Sequence, residues 1–91
     1  MDFLQQYFLL QVKAARSLLG WSQQDLAKNS GVSLSTLNRL ERGGGDPSVG
    51  SLRAIHKTLE SAGIRFINEP DGRIGVCVTR EGLATGEATG Q

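Results

Sequence analysis

Residues 21–48 read WSQQDLAKNSGVSLSTLNRLERGGGDPS, and the fold turns on where this stretch begins and breaks its helices. Ser22 opens a helix: its hydroxyl can cap the first turn, and Asp25, three residues on, suits the positive end of the helix dipole. Leu26 and Ala27 face inward, and Ser30-Gly31 closes the helix after about two turns. Ser33 is positioned to cap the next helix, with Leu37 and Leu40 as its buried side. Ser35, Thr36, Asn38 and Arg39 lie off that stripe. The spacing predicts helices over about 22–30 and 33–42, joined by a tight turn in which Gly31 supplies a positive φ. Ala27 has to be small where the second of these helices crosses the first, and Leu26, Val32, Leu37 and Leu40 lock the crossing angle.

Upstream, Leu4, Phe8, Val12, Ala15 and Leu19 recur every three or four residues, one face of an amphipathic helix that Gly20 ends. Trp21 is read as the packing anchor between that helix and the next. Downstream, Gly43-Gly44-Gly45-Asp46-Pro47 is a break, and Ser48 can cap a helix with Val49, Leu52, Ile55, Leu59 and Ala62 on one face, ending at Gly63. The period then changes. Residues 64–67 read as a strand, Glu69-Pro70-Asp71-Gly72 as a turn and residues 74–79 as a second strand, a hairpin that needs the helices or another chain to be stable. The glycine-rich tail from 81 to 91 is expected to be disordered.

The 91 residues carry ten Lys and Arg against nine Asp and Glu, with 38% hydrophobic and 21% charged residues. That is the composition of one small globular domain with room for a single core and little for a deep substrate cleft. One cysteine, Cys77, and one histidine, His56, are too few for an internal disulfide or a transition-metal centre. Cys77 is read as a small buried hydrophobe in its strand and His56 as a boundary residue. No nucleophile with a base and an orienting group can be assembled, so no enzyme is expected. Gly43-Gly44-Gly45 is not a phosphate loop, because no Lys-Ser/Thr follows and no strand precedes it. The N-terminus lacks a basic region and an uninterrupted apolar run, so neither a signal peptide nor a membrane span is expected, and the chain is placed in the cytoplasm. Charge is unevenly spread: residues 8–67 hold eight Lys and Arg against four Asp and Glu, while the flanks are acidic. A basic centre is a modest pointer to a polyanion, since such an excess also occurs on ordinary solvated surfaces.

Two short helices around a glycine turn, the second rich in exposed polar side chains, are the elements of a helix-turn-helix. In combination, Ser22-Gln23 before Leu26-Ala27, Gly31-Val32-Ser33, Leu40-Glu41-Arg42-Gly43 and Pro47-Ser48 resemble the Xre family of bacterial and phage regulators, the group that includes the lambda repressor and Cro. The resemblance covers roughly residues 8–62. It implies a mostly α fold, a lambda-repressor-like DNA-binding domain of four to five helices over residues 1–63, here followed by a C-terminal β-hairpin at 64–80. It also implies double-stranded DNA as partner, with the third helix in the major groove.

Carried over residue by residue, the resemblance places Leu34, Ser35 and Arg39 at base edges with Thr36 and Asn38 beside them, and Gln23 and Arg42 at phosphates. It makes Arg16 and Glu41 a structural ion pair rather than reading residues. Leu34 departs from the polar residue often found there, and two readings stand open, a thymine-methyl contact or a core position. Ser30 replaces a usually apolar residue. No cofactor or metal is implied. A single module of this size offers a small interface, so a homodimer on a two-fold operator is expected, with the hairpin as the dimer contact. Short chains of this kind with a strand after the helices also resemble antitoxins that bind DNA and a toxin protein, which is the alternative partner. A helical scaffold that binds only protein is a third reading.

Overall fold

A computed structural model of the chain describes residues 3–44 and 46–83, with side chains from residue 7 onward. The side chain of Leu4, Gly45 and residues 84–91 lie outside what it describes. Four helices come first: α1 (Phe3–Leu19), α2 (Gln23–Ser30), α3 (Leu34–Glu41) and α4 (Val49–Ser61). Strands β1 (Ile64–Asn68) and β2 (Ile74–Val78) follow, and residues 80–83 add one more helical turn.

Each helix stops where a local signal stops it. Gly20 sits at φ 71°, and the amides of Gly20 and Trp21 donate back to the carbonyls of Ser17 and Arg16, which satisfies two of the last-turn carbonyls of α1. Ser22 caps α2 in a full capping box: its hydroxyl accepts from the Asp25 amide at 3.0 Å while Asp25 accepts from the Ser22 amide at 2.8 Å. Gly31, at φ 77°, closes α2 with its amide on the Ala27 carbonyl. Ser33 and Ser48 cap α3 and α4 through the amides of Thr36 and Ser51.

The core is a single cluster. Val12, Ala15 and Leu19 of α1, Leu26 of α2, Leu37 and Leu40 of α3, and Ile55 and Leu59 of α4 are buried, together with Leu9, Trp21, Val32, Ala62 and Ile64. Trp21, 6% exposed, anchors the α1–α2 corner as expected, although its indole nitrogen finds no hydrogen-bond partner among the described residues. The expected apolar face of α4 needs one correction. Val49 is 68% exposed, because it occupies the first turn, ahead of Leu52 and Ile55 where the helix meets the core.

The hairpin is antiparallel, with Ile64 opposite Val78, Arg65 opposite Cys77 and Phe66 opposite Val76. The period-2 alternation turns Ile64, Phe66, Val76 and Val78 onto the helices and Arg65 and Cys77 outward. Cys77 is therefore exposed, not the buried residue its apolar neighbours suggested. Two contacts seat the hairpin. The Phe66 ring packs against both Phe8, at 5.6 Å, and His56, at 4.5 Å, in a three-ring cluster that Phe8 and His56 close at 6.1 Å. Gln11, buried on α1, donates its side-chain amide to the carbonyls of Ile67 and Gly75.

The tail expectation differs at its start. Residues 80–83 form a helical turn capped by Thr79, whose hydroxyl accepts from the Gly82 amide at 2.8 Å. Gly82 is buried against Gly63, so close that a Cβ on Gly63 would stand 2.5 Å from the Gly82 Cα. Two glycines with no side chains permit a backbone approach that composition alone reads as flexibility.

Candidate nucleic-acid interface

The outward face of α3 is built by the burial of its other side. With Leu37 and Leu40 in the core, the 3.6-residue period leaves Ser35, Asn38, Arg39 and Arg42 exposed on one side. Leu34 is 40% exposed in the first turn of the same helix, which removes the core reading of that residue. Thr36 is half-buried, and its hydroxyl accepts from the Ser33 side chain at 2.8 Å. It joins Arg39, Gly44, Asp46, Pro47 and Ser48 in a shallow groove of about 250 Å³ where α3 faces the loop into α4. Arg39 and Arg42 have no acidic partner within salt-bridge distance among the described residues, so both cations are left to solvent or a ligand.

Behind this face lies an ionic clamp. The Arg16 guanidinium reaches Glu41 through two bonds of 2.7 and 2.6 Å and donates a third, of 2.9 Å, to the Trp21 carbonyl. One arginine thus ties α1, the α1–α2 corner and the end of α3 together, as the ion-pair reading implied. Burial pushes the Glu41 carboxyl upward. Hydrogen bonds from Arg16 and then Gln23, with the charges of Arg16 and Lys13, outweigh that effect and hold it below its ordinary value of 4.5.

The side chain of Gln23 is where the structure adds most to the sequence. It is half-buried between α2 and α3, donating Nε2 to Glu41 at 3.1 Å and accepting from the Asn38 amide at 3.3 Å. The sequence indicated Gln23 at the start of α2 and Asn38 on the outer face of α3 but not their contact. Residues 15 apart come together only through the crossing of the two helices. A buried carboxylate three residues after Asn38 was the available hint.

Residues 12–62, more than half of the chain, match the family model HTH_3, described as helix-turn-helix. The chain belongs to the Xre/lambda repressor-like helix-turn-helix family. No curated protein matches it. The matched span runs from α1 to the end of α4 and leaves the hairpin outside, so the family accounts for the clamp, the turn and α3 but not for β1 and β2. As a helix-turn-helix domain of this family, the protein is a DNA-binding module. No described helix is long and apolar enough to cross a membrane.

Proposed function

We propose that this helix-turn-helix protein is a cytoplasmic, sequence-specific transcriptional regulator that binds operator DNA as a homodimer. The observation that carries this reading is the outer face of α3, where Ser35, Asn38 and Arg39 are exposed side by side with Arg42, which has no acidic partner among the described residues. Arg39, with Ser35 beside it, reads bases, since a bidentate arginine on guanine is the commonest specific contact. Leu34, with no core role, meets a thymine methyl, and Thr36 and Asn38 lie beside these contacts. Arg42 and the remaining Nε2 hydrogen of Gln23 hold phosphates and set the register.

A dimer would place two α3 helices about 34 Å apart, one helical turn of DNA. The hairpin is the proposed dimer contact, because among the described residues each of its strands pairs only with the other, which leaves one edge of each without a strand neighbour there. The same edges favour a second reading, an antitoxin whose hairpin pairs with a toxin protein.

Fluorescence anisotropy on the chain's own upstream intergenic DNA, against a scrambled duplex and over a salt series, tests the first reading. Preferential binding that falls linearly in log–log salt and that Arg39→Ala removes is the expected result. Equal, weak binding of both duplexes, unchanged in Arg39→Ala, defeats it. A monomer by light scattering at micromolar concentration would reject the homodimer, and a second polypeptide that co-purifies in stoichiometric amount would favour the antitoxin.

A further inference from the structure

The chain of side chains behind α3 fixes more than packing; it fixes which way an amide points. Glu41 engages Arg16 through both oxygens, and an ionised carboxylate only accepts hydrogen bonds. Gln23 must therefore turn its Nε2 toward Glu41, as it does at 3.1 Å, and its Oε1 toward Asn38. Facing that oxygen, Asn38 presents Nδ2, at 3.3 Å. Flipping the Asn38 amide would set oxygen against oxygen. A charge on α1 thus sets the polarity of an exposed amide on α3 through two intermediate side chains.

We propose that Asn38 is a specificity-determining residue that reads adenine, and that Gln23 and Glu41 are positioning residues that hold its amide in the reading orientation. This rests on the reading of α3 as the helix that meets base edges. With one Nδ2 hydrogen committed to Gln23, Asn38 keeps its Oδ1 acceptor and one N–H donor for a ligand. Adenine offers the matching pair in the major groove, an N6 donor beside an N7 acceptor. Guanine offers two acceptors there and would leave Oδ1 facing O6. A preset orientation lowers the entropy cost of the contact and sharpens the choice of base.

The test is selection of binding sites from a pool of duplex DNA with a randomised centre, by the full-length chain and its variants, followed by sequencing. The wild type should enrich one A·T pair per half-site by about tenfold over the other pairs at that position. In Asn38→Ala this preference vanishes while the positions governed by Arg39 stay enriched. In Gln23→Met, which keeps the length but has no donor and only a weak thioether acceptor, the same preference drops several-fold and the others hold. Asn38→Asp supplies a further check, although it gives up the bond to Gln23 and sets a carboxylate oxygen against the Gln23 Oε1. It presents acceptors only, so the preference should move from adenine to cytosine, whose N4 amine donates.

An adenine preference that survives Asn38→Ala overturns the proposal and leaves the DNA-reading function standing. A uniform loss of affinity in Gln23→Met, with base preferences unchanged, assigns Gln23 to phosphate or packing and overturns its positioning role. A wild-type chain that enriches no sequence removes the DNA-reading function and this inference with it.

Discussion

The helix-turn-helix and the hairpin of this protein are held together by different kinds of information. Between Ser22 and Arg42 nearly every structural decision is local: a capping box, a left-handed glycine, a serine cap and leucines at helical spacing. The hairpin has a local turn, but its seat on the helices depends on Gln11, Phe8 and His56, at least eight residues away in the chain. Locally specified structure survives loss of a distant partner. Structure seated by distant partners should come loose one contact at a time. Substitutions in the two regions ought therefore to differ in kind, global in the first and confined in the second.

The largest effect is expected from Leu37→Ala, which empties a fully buried site between α3 and the rest of the core. Urea denaturation should show a loss of about 2–5 kcal/mol, with all elements melting together. Arg16→Ala comes next. It leaves the Glu41 carboxylate buried without its counter-charge, a defect on the order of 3 kcal/mol at neutral pH, somewhat less because Arg16 is itself partly exposed. Because the Glu41 pKa is depressed in the folded wild type, the stability it contributes is fully present above the ordinary carboxylate value of 4.5 and is lost as pH falls through the folded value. The gap between wild type and Arg16→Ala should thus narrow on acidification below about pH 4.5. A gap that is constant with pH would show that the clamp acts by packing alone.

A matched pair of glycine substitutions sharpens the contrast. A Cβ at Gly31 meets nothing within 4 Å, so Gly31→Ala should cost only the left-handed backbone penalty of about 1 kcal/mol. A Cβ at Gly63 carries the same kind of penalty, at φ 101°, and also collides with the Gly82 backbone. Thermal melting should place Gly63→Ala below Gly31→Ala, with residues 79–83 displaced. Equal melting temperatures would mean that the turn at 80–83 adds little to stability.

Gln11→Leu should cost about 1–2 kcal/mol for the two lost hydrogen bonds. Its signature is hydrogen exchange: faster at Ile64–Val78 amides and unchanged in α2 and α3. The smallest effect on stability belongs to Arg39→Ala, exposed and with no acidic partner among the described residues, within about 0.5 kcal/mol of wild type.

Legibility followed the same division. The caps at Ser22, Ser33 and Ser48 and the buried Leu26, Leu37 and Leu40 could be read in order, because each depends on neighbours a few residues away. Both strands were legible from their period, but which face met the helices was not, and Cys77 was misplaced for that reason. Ser35, Asn38 and Arg39 were legible as the exposed side of α3, while Leu34 was not and Thr36 is half-buried. The organisation of that side was not legible: nothing in the spacing of Gln23 and Asn38 discloses that one amide orients the other.

The sequence by itself determined where α2 and α3 begin and end, which side of each is buried, and the family to which the helix-turn-helix belongs, since capping, glycine conformation and periodicity act over one or two turns of chain. Tertiary structure alone decided that Leu34 stands in solvent, that Gln11 joins α1 to both strands, that Gly63 and Gly82 touch, and that Arg16 sets the Asn38 amide through Glu41 and Gln23. Each of these depends on the direction of a side chain relative to an element far away in sequence, and hydrogen bonds and close backbone approach fix such directions only after the helices have crossed.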